Sequence, residues 1–215
     1  MMKKRLIIAC FVLIGITQIK AQVTIKPGVK SGVNFSRFTN FDSDFKTGFY
    51  LGGQLAIKFN KLYTLQPELL YSQQGASRTY HFDVLNQYDP DPAFYSESKT
   101  NYEIDYLSLS VINKFYFGDG FHFAVGPSLD FKVNDNFQQD YLSKDPIGFD
   151  FAIIGGVGYS FSNGLSFDAR FKQGMIDIYG NNYNTNIDNN NNGNYDEVVL
   201  NQSFQLGLSY IFDLK

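Results

Sequence analysis

The stretch Thr47-Gly48-Phe49-Tyr50-Leu51-Gly52-Gly53-Gln54-Leu55-Ala56-Ile57-Lys58-Phe59 separates into two alternate sets. Phe49, Leu51, Gly53, Leu55, Ile57 and Phe59 form one, large and apolar apart from a glycine. Tyr50, Gly52, Gln54, Ala56 and Lys58 form the other, small, polar or ionic. A period of two is the mark of a β-strand, whose successive side chains point to opposite faces.

The same alternation recurs in eight stretches, at 28–36, 48–59, 63–74, 104–117, 121–132, 149–161, 165–174 and 202–213. The connections alternate in length. Asn60-Lys61, Gly118-Asp119-Gly120 and Ser162-Asn163-Gly164 are tight-turn sequences, in which Gly, Asn and Asp supply positive φ. The other connections, Arg37–Thr47, Gly75–Glu103, Val133–Gly148 and Met175–Asn201, are long and polar. Short turns at one end and long loops at the other predict an all-β, eight-stranded antiparallel up-and-down transmembrane β-barrel, with short periplasmic turns and long extracellular loops.

The ends bound the domain. Met1-Met2-Lys3-Lys4-Arg5 is a basic segment, and the apolar run Leu6–Ile16 follows it. That run is too short to span a bilayer as a helix, which needs about 20 residues. Residues 1–21 therefore read as a cleaved signal peptide, with a mature barrel domain at 22–215. Cys10 is the single cysteine and lies inside the apolar run, so the mature chain has no disulfide and no thiol chemistry. Losing Lys3, Lys4, Arg5 and Lys20 takes the net charge from −3 to −7, which argues against nucleic acid as a partner. A mean hydropathy of −0.21 does not exclude the membrane, because only half the residues of a barrel strand face lipid.

The direction of the apolar face follows from size. An eight-stranded barrel has an interior just wide enough to be filled by side chains. A lumen packed with Phe49, Phe115, Phe123, Phe131, Phe149, Phe167, Phe171 and Phe204 would be overfull. The opposite phase is rich in Gly, Ala and Ser and holds Lys30, Lys58, Glu68, Lys114, Asp130, Lys132, Asp150, Asp168, Arg170, Lys172 and Asp213. The bulky phase is therefore expected outside, against hydrocarbon, as in an integral outer-membrane protein. A soluble lipid-binding barrel of opposite polarity is the rival reading. Tyr63, Tyr71, Tyr159 and Tyr210 share the bulky phase and suit interfacial girdles. The fourth strand departs from the pattern. Its apolar phase, extended upward from Leu107, reaches Asp105 and Glu103, which predicts a β-bulge near Tyr106 or a place for Asp105 above the bilayer. Asn113 is an odd residue to face lipid.

Several segments resemble the small outer-membrane barrels of the porin family, or PorT-like proteins. They are Gly28-Val29-Lys30-Ser31-Gly32-Val33-Asn34, Leu65-Gln66-Pro67-Glu68-Leu69-Leu70-Tyr71-Ser72, Tyr106-Leu107-Ser108-Leu109, Gly126-Pro127, Ala169-Arg170-Phe171-Lys172-Gln173-Gly174 and Leu206-Gly207-Leu208-Ser209-Tyr210-Ile211-Phe212. Many members carry Pro where Ser110 stands, and this chain runs three residues past Phe212. The resemblance implies location and fold. It implies no reaction and no pore.

Chemistry-bearing residues are sparse, so no catalytic role, cofactor or metal is expected. His81 falls in a long loop and His122 at the start of the fifth strand, and a site needs several convergent groups. Gly155-Gly156-Val157-Gly158 precedes no helix, so it is not a nucleotide loop. Asp188-Asn189-Asn190-Asn191-Asn192-Gly193 has the spacing that opens a Ca²⁺-binding loop, but Val199 stands where the closing Glu belongs. It reads as an Asn-rich loop tip, and Tyr88-Asp89-Pro90-Asp91-Pro92 reads as a stiffened turn. The polar group expected to matter most is a lumen ionic network of Lys58, Glu68, Lys114, Asp168 and Arg170. Buried charges must be paired, so it is expected to plug the barrel rather than gate an ion path. The functional expectation is a non-enzymatic protein with a structural or surface-interaction role. Its partners would be outer-membrane lipid and envelope or surface proteins met through the long loops. The alternative is a narrow channel or an accessory part of an outer-membrane secretion complex.

Overall fold

The computed structural model describes residues 23–40, 43–83, 95–137, 145–180 and 198–213. The proposed signal segment and the loop tips at 88–92 and 188–193 lie outside the described residues. Eight strands follow one another: β1 (Thr24–Phe38), β2 (Asp44–Lys58), β3 (Tyr63–Asp83), β4 (Tyr95–Phe117), β5 (Phe121–Asp135), β6 (Phe149–Ser160), β7 (Leu165–Gly174) and β8 (Asn201–Ile211). Each pairs antiparallel with the next, and β8 closes on β1 from Gly28↔Ile211 to Phe38↔Asn201. Closure leaves no edge within the ring, so every strand there has hydrogen-bond partners on both sides.

Local chemistry sets the tight turns. Asn60 accepts from the backbone N–H of Leu62 and of Tyr63, both at 2.8 Å, and Asn163 accepts from that of Leu165 at 3.1 Å. Gly164 has φ +89°, a conformation that β-carbon sterics disfavour for other residues.

Along the strands, the bulky phase faces out. Phe49, Leu51, Leu109, Phe115, Phe123, Phe131, Phe171, Phe204 and Leu206 are all exposed, while Lys30, Glu68, Lys114, Asp168, Arg170 and Lys172 are buried inside. On β1 the outward phase is largely apolar from Ile25 to Phe35 and meets a cation at Arg37. Those ten residue steps, at about 3.3 Å each and tilted by ~40°, rise roughly 25 Å, the height of a hydrocarbon band. Asn113 is in the lipid-facing phase, yet its amide is satisfied. Tyr63 donates to its Oδ1 at 2.8 Å, and its Nδ2 donates to the Val125 carbonyl at 3.1 Å.

Two sequence expectations need correction. The supposed loop at Gly75–Glu103 is mostly strand, since β3 and β4 pair from Tyr63↔Phe115 to Asp83↔Tyr95 as one long hairpin. Its outer part has no lipid to face, so it lacks the apolar phase that marked the other strands. The Arg37–Thr47 connection likewise shrinks, because β1 runs to Phe38 and β2 starts at Asp44. The β-bulge expected near Tyr106 is present, with its extra residue on the neighbouring strand: Asp105 pairs with Asn134 and Tyr106 with Lys132, which leaves Val133 of β5 unpaired in the ladder. The phase of β4 itself never breaks.

Candidate functional site

The lumen is built in layers of inward side chains. At mid-height, Glu68 of β3 takes a two-pronged bond from Arg170 of β7, Nη1 to Oε2 at 2.8 Å and Nη2 to Oε1 at 2.9 Å. Guanidinium and carboxylate match in this fork geometry, which makes it among the stronger ion pairs. Gln66 adds a bond to Glu68 Oε1 at 2.6 Å, and Lys30 of β1 lies 3.3 Å from the same oxygen. Lys30 also reaches Asp168 at 3.4 Å. Lys114 of β4 reaches Asp168 at 3.3 Å, and His122 Nε2 of β5 is 3.0 Å from it. Five strands thus meet in one cluster, and each of these ionic side chains is almost wholly buried.

Of the five residues expected in this network, Glu68, Lys114, Asp168 and Arg170 come together and Lys58 does not. Lys58 ends β2 and is exposed at the turn end of the barrel. Its phase is inward, but its height is wrong by several residues, and alternation carries phase without height. Lys30 and His122 are the members that sequence reasoning left out. Lys30 was visible as a charge in the polar phase, but its place opposite Glu68 depends on which strand closes the ring.

Nearer the loop end, Lys172 bonds Asp130 at 2.6 Å and Ser108 at 3.4 Å, while Ser128 donates to Asp130 at 2.8 Å. An amide ladder shares that level. Gln205 donates to Asn34, Asn34 to Ser72 and Gln74 to Ser72, each at 3.0 Å, and Asn201 donates to Gln74 at 2.7 Å. Beside the ionic cluster, Gly207 of β8 is the register partner of both Asp168 and Gly32. A β-carbon at Gly32 would sit 2.5 Å from the Tyr50 hydroxyl, and one at Gly207 would overlap it, so these positions make room for the Tyr50 ring.

The two mouths differ. At the loop end, Phe38, Ala76, Tyr102, Ile104 and Tyr106 point inward and are capped by Phe137, Ile178, Tyr179 and Val199. Backbone bonds stitch the cap, from Ile147 N–H to the Ile178 carbonyl at 2.7 Å and from Ile178 N–H to the Val199 carbonyl at 2.9 Å. At the turn end the lumen opens as a cavity of about 670 Å³, with Gln66 and Lys114 on its floor and Lys58 and Lys61 among its walls. Among the described residues the lumen is thus open at the turn end, ionic in the middle and filled by an apolar cluster at the loop end.

One row of side chains resembles hydrolytic machinery. Ser160 Oγ lies 3.5 Å from His122 Nδ1, and His122 Nε2 lies 3.0 Å from Asp168. The arrangement is poorly disposed to activate a nucleophile. Asp168 is shared among Lys30, Lys114 and Arg170, the Nδ1 atom also faces the Gly120 carbonyl at 3.4 Å, and Ser160 accepts from Ser166 at 2.8 Å. His81 pairs through its backbone with Glu97 in the β3–β4 hairpin, far along the strands from this row. Among the described residues no group of three or more His, Cys, Asp or Glu is placed to hold a metal ion.

Comparison with known proteins agrees with this architecture. Neisserial surface protein A aligns with a TM-score of 0.50 at 13% identity, over 88% of this chain and 99% of its own. Ail, the attachment invasion locus protein of Yersinia pestis, aligns with a TM-score of 0.47 at 13% identity, over 87% of this chain and 99% of its own. The outer membrane enzyme PagL aligns with a TM-score of 0.40 at 12% identity, over 85% of this chain and 98% of its own. At 13% identity the likeness to Neisserial surface protein A concerns the fold alone. No curated protein matches the chain by sequence. The model of the outer membrane protein beta-barrel domain matches residues 20–180, and with most of the chain inside that match, this protein belongs to the outer-membrane β-barrel family.

Proposed function

We propose that this outer-membrane barrel is non-enzymatic and non-conducting, and that it works by what it displays at the loop end. The observation that carries the reading is the β3–β4 hairpin. Its pairing continues to Asp83↔Tyr95, whereas β2 last pairs with β3 at Asp44↔Ser77 and β5 last pairs with β4 at Ile104↔Asp135. Beyond those points the hairpin is a two-stranded ribbon whose outer edges have no partner strand among the described residues. Such an edge offers backbone donors and acceptors to a visiting chain.

The filled lumen supports the same reading. An ion crossing it would have to part Glu68 from Arg170 and then displace the apolar cap. Planar-bilayer recording should show no discrete conductance, and a steady channel would overturn the non-conducting part. A serine-directed fluorophosphonate should leave Ser160 unlabelled, and labelling lost on His122→Ala would make the protein an enzyme. For the display role, a variant joining Ser77 to Asn101 by a short Gly-containing turn should fold normally. It should lose the envelope or surface proteins that copurify with the intact chain. An accessory role in a secretion complex rests on the PorT-like segments alone, and the same copurification identifies it through partners that the shortened hairpin retains.

A further inference from the structure

We propose that the turn-end vestibule is a binding cup for a small organic anion, carboxylate or phosphate in chemistry. Its volume, about 670 Å³, lies within the range of ligand pockets. Lys26, Lys58, Lys61 and Lys114 line it, against the single carboxylate of Asp119. Two of these cations are already engaged. Lys26 bonds Asp213 at 2.8 Å, and Lys114 on the floor faces Asp168 at 3.3 Å. No carboxylate among the described residues comes within ion-pair distance of Lys58 or Lys61.

The local sign runs against the whole. The chain carries a net charge of −3, yet this mouth gathers cations. Lys58 is placed by register, opposite Thr24 of β1 and Thr64 of β3, in the inward phase. A concave site lined by one sign of charge within low-dielectric walls focuses the field and concentrates counter-ions. Thr64, Tyr116, Ser160 and Gln66 add hydrogen-bonding groups around the cup. The buried cluster of Glu68 and Arg170 closes its far end, so an anion can enter and leave only from the turn side. The inference is independent of what the hairpin displays.

The test uses the full mature chain in nanodiscs of a zwitterionic lipid, so that the bilayer carries no net negative charge to compete with the added probes. Citrate and inorganic pyrophosphate serve as probes, followed by titration calorimetry and amide chemical shifts. Saturable binding of either probe is expected, with shifts centred on the turns at 59–62 and 118–120, and weakening as salt rises. The double variant K58Q/K61Q should bind about tenfold more weakly or worse, while K99Q at the opposite end should bind normally. D119N should bind more tightly. All these side chains are exposed or at turns, and heat-dependent gel mobility confirms that each variant folds. No saturable binding of either probe below roughly 10 mM, an unchanged affinity in K58Q/K61Q, or an equal loss in K99Q would each overturn the proposal.

Discussion

β4 passes through two regions built on opposite rules. In its lower half the outward residues run Leu107, Leu109, Val111, Asn113 and Phe115, and the inward ones Ser108, Ser110, Ile112 and Lys114. In its upper half Glu103 and Asp105 take the outward phase, while Tyr102, Ile104 and Tyr106 point inward into an apolar core. The strand keeps its phase throughout, and only the surroundings change. Against hydrocarbon, apolar side chains belong outside, and the narrow lumen is filled largely by paired polar groups, with a small apolar cluster of Ile112, Ala124 and Ile154. Above the membrane, water lies outside, and the barrel packs like a small soluble protein with its apolar groups inside. The change of sign marks the upper limit of the bilayer. An outward polar row lies at that height, with Arg37 donating to Gln202 at 3.3 Å, Gln202 to Gln173 at 2.7 Å and Gln73 to Glu103 at 2.7 Å.

The largest test of this contrast is in the lower lumen. Glu68→Ala takes away the two-pronged partner of Arg170 and leaves Arg170, Lys30 and Lys114 to share the one carboxylate of Asp168, and should cost about 3–5 kcal/mol of folding stability. Urea titration of refolding into lipid vesicles, read by gel mobility, measures it. Glu68→Gln should cost clearly less, because it keeps hydrogen-bonding capacity. A loss under about 1 kcal/mol for Glu68→Ala would mean that lumen water, rather than the pairing, satisfies these charges.

Two outward substitutions, one on β4 and one on β7, set the regions against each other. Leu109→Arg puts a charge on the lipid face and should cost about 2–4 kcal/mol if it sits near the midplane. Gln173→Arg, on the outward face at the polar row, should cost only about 0–1 kcal/mol. Equal costs would place the bilayer boundary elsewhere. In the upper region Ile104→Ala opens a cavity in a water-backed core, and roughly 2–4 kcal/mol of local stability should go with it. Hydrogen exchange at Phe137 and Ile178 should report that loss while the lower strands stay protected. Leu109→Ala should cost less than Ile104→Ala, since lipid refills the space it leaves. A small effect is also expected from Tyr63→Phe. It removes the donor to Asn113 and should cost about 1 kcal/mol by the same vesicle assay.

Much of the lower region could be read from residue order. A strand against lipid shows strict alternation, and the volumes of Phe49, Phe123 and Phe171 decide which phase faces out. The upper region was harder to read for the same physical reason. Where water replaces lipid, polar and apolar residues trade phases, as at Asp105 and Tyr106, and the outer half of the β3–β4 hairpin alternates without any apolar face. It therefore reads as loop. The ionic cluster was partly legible. Phase put Glu68, Lys114, Asp168 and Arg170 inside, and it put Lys58 inside as well.

The sequence by itself determined the number of strands, the direction of their faces and the end at which the turns are short, because each of these is a local consequence of alternation, side-chain volume and turn chemistry. Only the tertiary structure decided which inward charges meet. Height along the lumen is set by the stagger of eight strands and by the closure of β8 on β1, and that closure carries Lys30 to Glu68 while leaving Lys58 at the open mouth.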